Sequence, residues 1–139
     1  MMSKPCLSQE DAQQILLAAE AEAGRQQWAV SIAVCDDGGH PLAFLRRNGA
    51  APASSHIAMA KARTAALMRR ETAGVEQMIN QGRIAFLSVP ELDGLLEGGV
   101  PILADGFCIG GVGVSGVQSV QDAQVAKAGI AGLGKGEAG

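Results

Sequence analysis

The stretch from Gly106 to Gly116, GFCIGGVGVSG, constrains the fold more than any other part of the chain. It carries no charge, and glycine alternates with small apolar residues. Gly111, Gly113 and Gly116 match G-x-G-x-x-G, with a strand pattern before them and a helix pattern after. A dinucleotide site also needs a second strand beyond that helix and an acidic residue about 20 positions on to hold the ribose. Only 139 − 116 = 23 residues follow Gly116, and the closing helix takes most of them. The stretch therefore reads as a buried strand whose glycines let a helix or a second subunit lie close. No nicotinamide or flavin nucleotide is expected.

The rest of the chain supplies what such a strand needs around it. Ala12, Ile15, Leu16 and Ala19 recur at helical spacing over 8–23, with Ser8 as N-cap and Gly24 as the stop. AVSIAVC (29–35) and PLAFLRR (41–47) are strands joined by the five-residue turn DDGGH. A long helix follows, capped by Ser54 or Ser55 and reaching Arg70. Its alanines (Ala58, Ala62, Ala65, Ala66) give one flat side suited to lying on a sheet. A short helix is expected over 75–80, an extended piece over 84–87, and a helical turn from Pro90 to Leu96. Strands 100–104 and 107–115 form a second hairpin across Asp105-Gly106. Ser119, with Asp122 at the box position, caps a final helix to about Leu133. The order α-β-β-α-α-β-β-α, with two hairpins, makes one α/β (α+β) domain over 1–139, with an antiparallel sheet and a flexible tail at about 134–139.

Composition limits the function classes. Hydrophobic residues are 47% and aromatics 3% of the chain, so the core is built from Ala, Val, Ile and Leu. A net charge of −3 argues against a nucleic-acid surface. No apolar run reaches the ~18 residues a membrane helix needs. The N-terminus lacks a signal-peptide pattern, which makes the cytoplasm the expected location. Cys6, Cys35 and Cys108 form no CxxC pair, so no structural zinc is expected. Cys35 and Cys108 read as reduced, buried small residues.

Candidate site residues are few. Asp36, Asp37 and His40 have the composition of a turn more than of a metal site. His56, at the start of the long helix, is a conceivable haem ligand, though a solvated histidine is the commoner outcome. Lys61 and Thr64 are the polar exceptions on an alanine-rich helix. They either face a pocket with Arg46 or Arg47, suited to a small anion, or form a solvated stripe. With two histidines and no tyrosine, acid–base groups are scarce. For an enzyme acting on a small hydroxy- or keto-acid, Asp36, Lys61 and His56 are the candidates.

Several motifs together carry a family likeness: VSIAVCDDGGHPLAFLRRNGA (30–50), IAMAKARTAAL (57–67), RRETAGVEQMINQGRIAF (69–86), EGGVPILADGFCIGGVGVSG (97–116) and QDAQVAKAGIAGL (121–133). Over nearly its whole length the chain resembles the GlcG/HbpS family, most of all the branch associated with glycolate utilisation. The resemblance implies a profilin-like fold, a central antiparallel five-stranded sheet flanked by helices. It also implies homo-oligomers, and among relatives haem binding, redox sensing or fusion to corrinoid adenosyltransferases. The expectation is a small-ligand-binding accessory protein, with Arg46, Lys61 and Thr64 and the Gly98 and Gly99 amides around a small carboxylate. Haem is the alternative ligand.

Overall fold

The computed structural model describes residues 1–134. Helix α1 (Gln9–Gln26) opens on a capping box: Ser8 Oγ accepts from the Asp11 amide, and the Asp11 carboxylate accepts from the Ser8 amide. It runs past Gly24 and ends at Gln27, which adopts a left-handed conformation. Strands β1 (Ser31–Asp36) and β2 (Pro41–Arg46) form the first hairpin, with residues 37–40 as its loop. Helix α2 (Pro52–Met68) begins two residues before Ser54. Pro52 occupies its first turn, and Ala51 caps it without a side-chain bond. Helix α3 (Thr72–Asn80) leads into a 3-10 turn over Ile84–Ser88. Strands β3 (Gly99–Ala104) and β4 (Phe107–Ser115) precede α4 (Ser119–Ala131).

The sheet has four strands in the order β2-β1-β4-β3, all neighbours antiparallel. That corrects the expected five. Among the described residues no fifth strand forms, because the chain between α3 and β3 folds as a 3-10 turn and an irregular strap. Neither the extended piece at 84–87 nor the helical turn after Pro90 is present. The expected tail beyond Gly134 lies outside the described residues.

Alternation along the strands divides two layers. Ile32, Val34, Val112 and Val114 face α1 and α4, where Ile15, Ala19 and Val125 complete the main core. Ala33 and Cys35 face α2 and meet Ala58, Ala62 and Ala66. Gly111 and Gly113 of β4 lie on this second face, and their missing side chains set the spacing of the layer. A Cβ at Gly111 would fall against the Ala62 carbonyl, and one at Gly113 against the Ala58 carbonyl and the Ala62 amide. The glycine-rich stretch is thus a central strand on which a helix backbone rests directly. Asp105 (φ 52°) and Gly106 (φ 82°) close the second hairpin in the left-handed region that a two-residue hairpin turn requires.

Candidate functional site

The polar side chains of α2 do not form a solvated stripe. Lys61 and Thr64 are both buried. Lys61 Nζ donates to the Val114 carbonyl at 2.9 Å and to Asp122 Oδ2 at 3.2 Å. Asp122 Oδ1 accepts from the Val117 amide at 3.1 Å. The pair's side chains are 3% and 4% exposed, so this ion pair sits in the interior and ties α2 to α4. Burial raises the Asp122 carboxyl above its ordinary value against the opposing pull of Lys61 and the Val117 amide, with Glu97 adding to the rise. Gly98 makes the passage possible, because a Cβ there would lie 2.7 Å from Lys61 Nζ and 2.8 Å from the Val114 carbonyl oxygen. Asp122, expected in a helix cap, is the partner of this lysine. The cap of α4 is formed by Gln118 and Gln121.

The same region fixes the irregular strap before β3. Thr64 Oγ1 donates to the Asp93 carbonyl at 2.6 Å, and Thr72 Oγ1 to the Leu96 carbonyl at 2.6 Å. Thr72 Oγ1 also accepts from the Gly99 amide at 2.8 Å. Glu76 Oε1 accepts from the Glu97 amide at 2.9 Å. With no helix or strand of its own over residues 91–97, the strap depends on these side chains for its shape. Between it, α3 and the 3-10 turn lies a groove of about 420 Å³. Ile79, Leu87, Leu92 and Leu96 are among its apolar walls, and Glu76, Asn80 and Asp93 are its polar ones.

The expected site residues are therefore divided. Lys61, Thr64, Gly98 and Gly99 converge, but on one another and on the strap, with the Gly99 amide already bonded to Thr72. Arg46 is not with them. It stands exposed at the end of the edge strand, in a separate cleft of about 650 Å³ with Glu20, Gln27, Arg47 and Asn48. Arg46 pairs with Ser31 at the margin of the sheet, and this register places it away from α3 and the strap. His56 lines a cavity of only about 170 Å³ with Met59 and Arg63, below the ~300 Å³ at which ligand pockets begin. Asp36 is engaged in its own turn, accepting from the Gly38 and His40 amides at 2.9 Å each. Among the described residues no group of His, Cys, Asp and Glu is arranged to hold a metal ion. Thr72 and Glu76 were missed in the sequence. The helix capping signals nearby gave no hint that these side chains reach a strap some 20 residues on.

Fold and site together define a small α+β domain with a helix-covered antiparallel sheet and a groove walled by a tethered strap. Residues 7–131 match the family model "Haem degrading protein HbpS-like", and the chain belongs to the HbpS-like family. It is 55% identical to Protein GlcG of Escherichia coli K12 over 115 residues, 83% of this chain and 85% of the relative. The crystal structure of HbpS superposes with a TM-score of 0.87 at 34% identity, covering 96% of this chain and 94% of the other. A PduOC:heme complex superposes with a TM-score of 0.83 at 29% identity, covering 94% and 96%. No helix among the described residues is long and apolar enough to cross a membrane.

Proposed function

We propose that this protein is a small-ligand-binding accessory protein and that its ligand lies in the groove between α3, the 3-10 turn and the 91–97 strap. One observation carries the reading. Thr64, Thr72 and Glu76 all spend their polar groups on holding that strap, whose carbonyls and amides would otherwise be free to move. The Gly99 amide, bonded to Thr72 Oγ1, anchors its far end. Of the residues expected to touch a ligand, Thr64 and Gly99 thus serve by shaping the wall that does.

The groove's chemistry favours a ligand with an apolar body. Five Leu and Ile side chains line it, and its only charged groups are the carboxylates of Glu76 and Asp93. A small anion such as glycolate meets repulsion there. A tetrapyrrole, the ligand class suggested by the haem complex of a relative, fits in apolar surface. Its macrocycle would lie against Leu87, Leu92 and Leu96. Asp93, and the Glu76 oxygen that does not hold the strap, are the lining carboxylate groups that could donate to its iron, and its propionates would have to face solvent. Such a group would supply redox or ligand-sensing chemistry when bound. The protein's own part is to hold the apolar slot open and keep it in register.

Haemin titration followed at the Soret band tests this. A red-shifted, saturable band is expected, lost in Leu96→Asp and kept in His56→Ala. A spectrum indistinguishable from free haemin sinks the tetrapyrrole assignment. Calorimetric titration with glycolate is expected to show no heat that Leu96→Asp removes. Self-association belongs to the same reading, since Ile84, Leu87, Val89 and Leu96 leave a large apolar surface exposed around the groove.

A further inference from the structure

Another cavity lies at the free end of the β3–β4 hairpin, beside the C-terminal end of α2. It encloses about 400 Å³, within the range of small-molecule sites. Leu103 and Phe107 form apolar walls, and Cys108 and Met2 contribute sulfur. Arg69 and Lys4 bring positive charge to it. Lys4 is paired with Asp37, whereas the Arg69 guanidinium has no hydrogen-bond or ion-pair partner among the described residues. Arg69 sits in the left-handed cap position that ends α2, with φ 57°. The helix stops there, and the side chain leaves it beside the hairpin.

We propose that this cavity binds an aromatic or otherwise apolar carboxylate. The body of the ligand packs on Phe107 and Leu103, and its carboxylate takes the free Arg69 guanidinium as a two-pronged donor. Leu103 is 64% exposed, and a ligand of this kind covers it. The chemistry differs from that of the strap groove, whose charged groups are carboxylates. The two linings therefore differ in charge, and the proposal does not rest on the groove.

Cys108 is a built-in reporter. Cys108 lines the cavity and is only partly buried, its single thiol hydrogen shared between the Gly110 and Ala66 carbonyls. Cys6 is exposed and serves as an internal control. Cys35 is buried, its thiol pushed up to about 12 by desolvation, and stays silent in the folded protein. The full chain is treated with iodoacetamide, and modification of each cysteine is followed by peptide mass spectrometry. Benzoate is expected to slow Cys108 modification several-fold and leave Cys6 unchanged. Benzamide, of the same shape without the charge, and acetate, of the same charge without the ring, are expected to protect far less. Arg69→Gln is expected to abolish benzoate protection. Benzoate titration followed by amide chemical shifts at Gly106, Phe107 and Cys108 reads the same event without alkylation. Equal protection by benzoate and benzamide, persistence of benzoate protection in Arg69→Gln, or unmoved amides at saturating benzoate overturns the proposal.

Discussion

Lys61 shows how one residue can look like a surface group in sequence and be an interior one in structure. On a helix of alanines, a lysine that follows the apolar side by a single position reads as a solvated edge. Its partner Asp122 is 61 residues away, and the opening between them is the missing side chain of Gly98. Nothing local in the sequence links those three positions. A buried ion pair contributes little net stability, but removing one partner strands a charge in the interior and costs about 3–5 kcal/mol. Lys61→Met is therefore expected to lower the urea midpoint sharply, and Asp122→Leu likewise. The double variant Lys61→Met/Asp122→Leu removes both charges and should recover most of that loss. Equal, additive losses in the double variant would show that the two side chains do not act as a pair.

At the scale of elements, patterns with a strict period were legible and those set by distant partners were not. The α1 stripe, both hairpins and the alanine side of α2 follow from spacing alone, and each packs as its spacing implies. The start of α2 was misplaced because Ser54 is a better cap than Ala51. Pro52 decided the boundary, being tolerated in the first turn, where its missing amide leaves no helical bond unmade. Ser54 is instead buried, with its Oγ 2.8 Å from Ser31 Oγ. The segment 81–97 resisted reading because side chains of α2 and α3, rather than its own residues, determine its path. The glycines of β4 are the opposite case, because their spacing alone announced a close approach. Gly113→Ala would drive a methyl group into the backbone of α2, and backbone cannot rotate away as a side chain can. A loss at or above the ~1–3 kcal/mol typical of overpacked cores is expected in chemical denaturation. Unchanged stability in Gly113→Ala would mean that α2 is free to lift from the sheet.

Asp36 and Asp122 give the whole molecule pH responses of opposite sign. Partial burial favours the neutral form of Asp36, but the His40 and Gly38 amides and the His40 imidazole outweigh it, and the carboxyl titrates below its ordinary value. Asp122 titrates above its ordinary value because desolvation outweighs Lys61. A group lowered by folding contributes stability that is present above its unfolded pKa and is lost as pH falls through the folded one. A group raised by folding does the reverse: its contribution is complete below the unfolded pKa and is lost as pH rises through the folded one. Both unfolded values lie near the ordinary ~3.9 of aspartate, so the windows adjoin, Asp36 acting below and Asp122 above. Asp36 thus contributes to a fall in stability on the acid side, together with Glu22, whose carboxyl is also held below its ordinary value by Gln124 and Arg25, and Asp122 contributes a decline toward neutrality. Asp36→Asn should flatten the acid limb of a plot of urea midpoint against pH while leaving the other limb. Asp122→Asn keeps the shape and removes the titration, and should flatten the limb toward neutrality. If Asp122→Asn instead leaves that limb unchanged and flattens the acid one, Lys61 outweighs desolvation, and the buried pair behaves in the folded protein as an ordinary salt bridge.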